Sequence, residues 1–356
     1  MARRPQRICI IKPSSLGDVV HSLPVLAALR WAYPEAFISW VVAPAYASLL
    51  IGHPQLDEVL LFDRTAWGRL QRLPRSAVEV AGLVRTLRSR RFELVVDLQG
   101  LLRSSLLAFA SGAAERVGFA NGREQAHRFY TRRVAVPDGP MHAVDRYMLV
   151  AEAITGRPHE VTFPLGLVSD DYEEADRFLD AAGLGSHRPM AILSPGGRWS
   201  TKRWAPERFA ALGGELRTRL GLEPVIIGGP GEEGIVDSVR RAMDEAAPAA
   251  FFPSLRAVAA LFARARIAVT NDSGAMHLAA AAGCPVVALF GPTDPRLTGP
   301  YGAGHQVVSH PVDCSPCFLK TCPIGHDCLV GVSVEAVVAA AEEVLVGRAA
   351  SGEVRP

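Results

Sequence analysis

The sequence predicts an α/β protein made of two doubly wound halves, each a parallel sheet with helices on both faces. Three observations lead there. Short apolar runs rich in β-branched residues alternate with helical segments, the order expected of parallel strands joined by crossover helices. The same rhythm restarts after residue 185. The length of 356 residues exceeds the size at which one hydrophobic core keeps growing.

Along the chain, Arg7–Ile11 reads as the first strand, followed by a turn at Pro13–Gly17 and a helix through Arg30. Phe37–Val42, Glu58–Phe62 and Leu94–Asp97 are further strands, and Ala77–Arg91 is a helix with Val80, Val84 and Leu87 on one face. In the second half Ala191–Ser194, Pro224–Gly228, Phe251–Phe252, Ile267–Thr270 and Val286–Phe290 read as strands. Helices follow or separate them at Pro206–Leu220, Gly231–Met243, Ser254–Arg264, Ala275–Ala282 and Val334–Val346. The joint lies between Pro164 and Pro189. This gives a first domain over 1–170, a linker over 171–188, a second domain over 189–346 with a Cys-rich loop at 313–329, and a tail over 347–356.

Composition is that of an ordinary globular protein, 49% hydrophobic and 21% charged. The net charge of +2 is unevenly spread: residues 1–170 carry 21 Lys/Arg against 15 Asp/Glu, and the remainder 17 against 21. The basic half suits an acidic partner such as a phosphorylated lipid or an anionic membrane face, or reflects scatter in an Arg-rich chain. Arg64, Arg69, Arg72, Arg75, Arg85, Arg88, Arg90 and Arg91 fall within 28 residues whose only acid is Glu79. The first apolar run, Ile8–Ile11, is cut by Lys12 and is too short for a secretory signal. Ala36–Leu56 and Ser273–Thr293 lack charge, but Pro44 and Pro54, then Gly283-Cys284-Pro285 and Gly291-Pro292, break them below the length of a membrane span. A soluble, cytoplasmic protein resting at most on a membrane surface is expected. Of six cysteines, Cys9 and Cys284 sit in apolar strands and read as core residues.

In open parallel sheets ligands bind beyond the carboxyl ends of the strands, so the loops there carry the chemistry. Pro13-Ser-Ser-Leu-Gly-Asp18 follows strand one. Asp18 is either a helix cap or a carboxylate free to act as a base, and His21, one turn on, is either structural or an orienting group. Asp97 and Gln99 end a strand and Arg103 opens a helix, a polar edge suited to sugar hydroxyls or an acidic acceptor. In the second half Ser194-Pro-Gly-Gly-Arg-Trp-Ser-Thr-Lys202-Arg-Trp204 places glycines, hydroxyls and a lysine at a helix entrance, where free N–H groups and the macrodipole favour a diphosphate. Asp272, Ser273, Gly274 and His277 form a second such entrance, and Phe290-Gly-Pro-Thr293-Asp-Pro295 adds a hydroxyl. Gly229-Pro-Gly231-Glu-Glu-Gly234 matches the dinucleotide fingerprint, but the strand after it has no acid to hold a ribose, so NAD or FAD is not expected. Glu232 lies where it could bind the ribose of another nucleotide.

Taken together, SSLGDVVHSLP (14–24), VVDLQGLLRSS (95–105), KRWAPERF (202–209), TNDSGAMHLAAA (270–281) and FGPTDP (290–295) resemble the ADP-heptose–lipopolysaccharide heptosyltransferases. The resemblance implies a GT-B fold, two Rossmann-like domains facing a central cleft, and inversion at the anomeric carbon. It implies that Asp18 is the general base, and on that reading the polar groups His21, Asp97, Gln99 and Arg103 beside it are expected to face the acceptor. Lys202, Asp272, Ser273, Gly274 and His277 would match donor phosphate contacts and Glu232 a ribose contact, with the Thr293 hydroxyl expected beside them from its strand-end turn. The implied partners are ADP-heptose, Kdo-lipid A or a heptosylated core, and the anionic face of the inner membrane, with no nucleic acid. Some relatives place Thr hydroxyls where this chain has Gly196 and Gly197, so no side-chain role is carried to those positions. No Asp-x-Asp motif occurs, so no metal cofactor is expected in catalysis. Rival readings are a related transferase with another donor or acceptor, a dinucleotide-dependent oxidoreductase, and a non-catalytic sugar-nucleotide binder. Cys314-x₂-Cys317-x₄-Cys322-x₅-Cys328 permits a structural zinc site of four thiolates, or three plus His326; free thiols or a labile disulfide are the alternatives.

Overall fold

The computed structural model describes residues 4–63, 73–185, 188–243, 247–252 and 254–351. The chain divides into two compact units, Met1–Gly166 and Leu167–Pro356, each with its own six-stranded sheet.

The first unit runs β1 (Arg7–Ile11), α1 (Leu16–His21), α2 (Leu23–Ala32), β2 (Phe37–Val42), β3 (Glu58–Leu61), α3 (Leu73–Ser89), β4 (Leu94–Asp97), α4 (Leu102–Ala110), β5 (Glu115–Phe119), β6 (Arg132–Val134) and α5 (Ala143–Thr155). Its strands lie in the order β3-β2-β1-β4-β5-β6, and every pairing is parallel. Ile8, Cys9, Ile10 and Ile11 are fully buried, as an inner parallel strand covered on both faces requires. The chain winds outward from β1 to β3 and then crosses to β4 on the other side of β1. Winding therefore reverses between β1 and β4, where the loops leaving two adjacent strands part and open a crevice. The loops at 13–18 and 98–103 both leave the sheet there.

The second unit repeats the plan with α6 (Ser169–Ala181), β7 (Met190–Ser194), α7 (Pro206–Leu220), β8 (Glu223–Ile227), α8 (Glu233–Ala242), β9 (Ala249–Ala250), α9 (Leu255–Arg264), β10 (Ile267–Asn271), α10 (Gly274–Ala281), β11 (Val286–Phe290), α11 (Pro295–Thr298), β12 (Gln306–Ser309), α12 (Asp327–Val330) and α13 (Val334–Ser351). The order β12-β11-β10-β7-β8-β9 puts the reversal between β7 and β10. The Lys202 and Asp272 loops leave at that point. Pro206 opens α7 and Gly221, at φ 65°, ends it in the left-handed conformation that glycine adopts without a Cβ penalty. Trp204, Phe209, Leu212 and Leu216 pack in one core with Val337, Val338 and Ala341 of α13. Burying each large apolar side chain of this kind contributes about 1.5–3 kcal/mol.

Several expectations are corrected. Ser169–Ala181 is a helix of the second unit, so 171–180 is not linker; Asp171 accepts from the Val168 N–H, and Arg264 pairs with Asp176 at 2.7 Å. The helix expected through Arg30 breaks at Ser22, whose hydroxyl donates to the Asp18 carbonyl at 2.8 Å, and Pro24 starts a new first turn. The strand expected at Phe251–Phe252 lies two residues earlier, where Ala249 and Ala250 pair with Ile226 and Ile227; Phe252 instead meets Phe178 edge-on at 5.5 Å. Strands β6 and β12 escape the sequence reading because they are short outer strands with exposed residues, and β5 because its charged start Glu115-Arg116 and Gly118 leave only Val117 and Phe119 as a buried apolar signal. Cys9 and Cys284 are buried, as expected of core residues. Among the described residues no helix is long and apolar enough to cross a membrane.

Candidate active site

In the first unit the chain leaves β1 at Ile11 and turns through Lys12–Ser15 into α1. Asp18, in the first turn of that helix, folds its carboxylate back onto the turn. Its Oδ2 accepts from the Ser15 N–H and the Ser15 hydroxyl, each at 2.9 Å. This is the carboxylate half of a capping box in which Ser15, not Asp18, is the N-cap residue and Asp18 caps back from the third position of the helix. The other oxygen, Oδ1, accepts from the Tyr147 hydroxyl at 2.7 Å and lies 3.2 Å from the Lys12 ammonium. Lys12 is 2% exposed and also donates to the Tyr147 oxygen at 2.7 Å and to the Leu98 carbonyl at 3.2 Å.

Burial pushes the Asp18 carboxyl up, but Lys12, the Ser15 N–H and the Tyr147 and Ser15 hydroxyls outweigh it and hold it well below the usual carboxylate range. Burial lowers Lys12, and Asp18 opposes that. Burial and the neighbouring Asp18 charge push the Tyr147 hydroxyl well up, so it remains a donor at neutral pH. Asp18 is thus a fixed, ionised carboxylate whose side chain stays 37% exposed. Lys12 and Tyr147 were not singled out in the sequence. The signal available for Lys12 was a charged residue immediately after an apolar strand; for Tyr147 there was none.

The four acceptor-side residues fare differently. Gln99 is half-buried and its Oε1 accepts from the Ser14 N–H at a long 3.4 Å, so it sits beside the Asp18 turn. Arg103 is exposed in the first turn of α4. Asp97 is corrected: it is fully buried, accepting from the Gln99 and Gly100 N–H groups at 2.9 and 3.2 Å and from the Tyr130 hydroxyl at 2.7 Å. Burial raises its carboxyl, against the Tyr130 hydroxyl and its other donors. Asp97 shapes the Gln99 loop and does not face a ligand. His21 is also corrected, being 3% exposed and edge-on to His142 at 5.2 Å, so it belongs to the packing beneath the turn.

In the second unit Asn271 decides the shape. Fully buried at the end of β10, it donates to the Pro195 and Gly196 carbonyls at 2.8 and 3.2 Å and accepts from the Trp204 N–H at 3.1 Å. It thereby staples both ends of the 195–204 loop to the strand. Asp272, next along, accepts from Lys202 Nζ at 2.5 Å and from the Thr293 hydroxyl at 2.6 Å, both on Oδ2. Its carboxylate is buried and committed, and like charge repels a phosphate, so Asp272 is corrected from a phosphate contact to the group that aims Lys202 and Thr293. The Lys202 ammonium also lies 4.8 Å from the centre of the Trp199 ring.

Helix α10 starts at Gly274 with Ser273 as N-cap residue, yet Ser273 makes no side-chain cap. Its Oγ is buried with no hydrogen-bond partner. An orphaned hydroxyl beside the free N–H groups of a helix start is what an anion would satisfy. His277 lies one turn in, 7% exposed. Glu232 accepts from the Gly197 N–H at 2.9 Å and the Gly229 N–H at 2.8 Å, joining the loops after β7 and β8. A Cβ at Gly196 would come within 2.2 Å of its Oε2, so a side chain there would displace the Glu232 carboxylate from its present place. The GxGxxG turn ends at Glu232, and the two-residue β9 beyond it carries no acid.

Two doubly wound units, each a parallel six-stranded sheet with polar loops at its switch point, give the architecture of the GT-B class of glycosyltransferases. The chain belongs to glycosyltransferase family 9, the heptosyltransferases, which residues 80–327 match. It is 32% identical to lipopolysaccharide heptosyltransferase 1 of Pseudomonas aeruginosa over 321 residues, 89% of this chain and 87% of that one. A glycosyltransferase of family 9 from Veillonella parvula superposes with a TM-score of 0.79 at 27% identity, covering 96% of this chain and 97% of its own. The E. coli heptosyltransferase WaaC with ADP gives 0.76 at 26% identity, covering 95% and 99%. The same enzyme with ADP-2-deoxy-2-fluoro heptose gives 0.73 at 25% identity, covering 95% and 99%.

Proposed function

We propose that this protein transfers a heptose from ADP-heptose to the inner core of lipopolysaccharide, with inversion at the anomeric carbon. The observation that carries the donor half is the buried, unpartnered Ser273 hydroxyl at the start of α10, beside the Lys202–Asp272–Thr293 network. The relatives support the sugar: proteins named lipopolysaccharide heptosyltransferase match over most of the chain, and WaaC has been seen with a fluorinated ADP-heptose.

In the proposed reaction the acceptor hydroxyl oxygen bonds to the anomeric carbon and its proton passes to Asp18. The bond from that carbon to the diphosphate oxygen breaks, and ADP leaves with the electron pair. Lys202, His277 and the N–H groups at the start of α10 stabilise the charge growing on the diphosphate, each stronger there than in water because donor and dipole are already in place. Glu232 is assigned to the ribose hydroxyls, which would donate to lone pairs left over from the Gly197 and Gly229 bonds. Gln99 and Arg103 are assigned to the acceptor. No divalent metal is invoked, since the sequence has no Asp-x-Asp pair and the loops supply cations and dipoles of their own. We place the enzyme in the cytoplasm against the anionic face of the inner membrane, where a phosphorylated acceptor is presented to the basic first unit.

A mass-spectrometric transfer assay with ADP-heptose and a panel of truncated lipopolysaccharide acceptors tests this. Gain of one heptose on an inner-core acceptor is expected. Transfer from another nucleotide sugar with ADP-heptose inert would replace the donor, and transfer only to a different acceptor class would replace the acceptor.

A further inference from the structure

Between β12 and α12 the chain runs through residues 310–326 without a helix or strand, and with Phe318, Leu319 and Ile324 exposed to water. Apolar burial therefore does little to hold this segment. It carries three cysteines, with the fourth just inside α12. Cys314 is exposed, Cys317 and Cys322 half-buried, and Cys328 buried. All four line a single cavity of about 250 Å³, together with His326 and Thr201. The His326 N–H donates to the Cys322 sulfur at 3.3 Å, which fixes that sulfur at the cavity wall. The His326 ring instead turns away to the Thr201 carbonyl through Nε2, which leaves the four sulfurs as the natural ligand set.

We propose that Cys314, Cys317, Cys322 and Cys328 bind one thiophilic cation, zinc or iron, in a tetrahedral four-sulfur site. Among the described residues no three metal-binding side chains already converge, so the cation would draw the sulfurs inward from the cavity walls. Four thiolates select exactly such soft or borderline metals over magnesium or calcium, and binding supplies folding energy that this exposed segment lacks.

The site does more than tie a loop. The Thr201 hydroxyl donates to the Leu319 carbonyl at 2.8 Å, one residue before Lys202. The Phe318 N–H donates to the Pro292 carbonyl at 2.7 Å and the Ser315 hydroxyl to the Gly291 carbonyl at 2.6 Å, just before Thr293. The cysteine segment thus braces both loops whose side chains meet on Asp272. Losing the cation should loosen Lys202 and Thr293 together; this second half rests on the donor site proposed above.

The test uses the full-length protein purified without chelator under anaerobic conditions. Elemental analysis should give about one zinc or iron per chain. Replacement by Co²⁺ should produce the intense sulfur-to-metal absorption of tetrahedral thiolate, a readout that needs no mutant. Cys317→Ser and Cys322→Ser should each lower metal content at least about fivefold, while Cys284→Ser keeps it. Less than about a tenth of a metal per chain, with six thiols titrating in denaturant, would overturn the site; so would intact-mass loss of hydrogens showing disulfides. Metal removal should weaken ADP binding several-fold. Unchanged ADP affinity in a metal-binding protein would overturn the brace, whereas absent ADP binding in the loaded protein would strike the donor assignment instead.

Discussion

The Tyr147 hydroxyl donates to Asp18 Oδ1 at 2.7 Å across 129 residues of sequence, and Lys12 contacts both. Asp18 is therefore an ionised carboxylate locked in place before any substrate arrives. That arrangement trades basicity for position, and the difference is measurable.

Asp18→Asn should reduce kcat by about 10²–10⁴-fold while leaving ADP affinity nearly unchanged. The amide oxygen can still accept from the Ser15 N–H, but it takes no proton at neutral pH and leaves Lys12 without a counter-charge. Thermal unfolding recorded beside the kinetics separates those two effects. If the variant keeps more than about a tenth of wild-type kcat with unchanged stability, Asp18 is a helix cap only.

The pH dependence follows from the direction of the Asp18 shift. Its folded pKa lies below its ordinary 3.8, so its contribution to stability is present above that value and is lost as pH falls through the lower folded value. The free-enzyme kcat/KM should accordingly show no acid limb from Asp18 between about pH 5 and 7. Tyr147→Phe removes one donor to the carboxylate and should move that limb upward without unfolding the protein. A wild-type limb near neutrality that ignores Tyr147→Phe would assign the base elsewhere.

Ser273→Ala should leave the melting temperature almost unchanged, because the hydroxyl has no partner to lose, yet weaken ADP binding several-fold. Lys202→Ala should weaken ADP binding by about tenfold or more and also lower stability, since Asp272 stays buried with Thr293 alone. Calorimetry of ADP binding with parallel thermal melts distinguishes them. Equal ADP affinity in Ser273→Ala would remove that hydroxyl from the donor site.

Transfer should persist at near wild-type rate in buffer freed of Mg²⁺ and Mn²⁺ with the cysteine-bound cation left in place. Loss of turnover in that buffer, restored by Mg²⁺ or Mn²⁺ and not by zinc, would show that a divalent metal carries the diphosphate charge.

The arginine run divides once its partners are seen. Arg90 is fixed by Glu58, with Nε at 3.0 Å and Nη2 at 2.5 Å, while Arg85 and Arg88 are exposed on α3, Arg88 donating through Nε to the Ala110 carbonyl at 2.9 Å. Arg64, Arg69 and Arg72 lie outside the described residues, and so does the Arg75 side chain. Arg85→Glu with Arg88→Glu should raise acceptor KM and reduce binding to anionic vesicles, more at low salt, with donor KM constant. Arg90→Glu should mainly reduce stability. Acceptor KM that is flat across salt would leave the exposed pair as a solvated face.

The alternation of strands and helices, the two doubly wound halves and the loops bearing Asp18, Lys202, Ser273 and His277 were legible from sequence alone. Each is a local pattern: side-chain periodicity within one element, or glycines and hydroxyls within one turn. What the tertiary structure decided is which partners those loops meet. Lys12 and Tyr147 reach Asp18, Asn271 staples the Lys202 loop, Asp272 aims two donors, and Asp97 and His21 turn inward rather than toward a ligand. The contacts join residues 129, 76 and 70 positions apart, brought together by crossovers that reverse the winding of each sheet. A sequence pattern reports neighbours a few residues away; burial and charge pairing at a switch point are settled only when distant strands lie side by side.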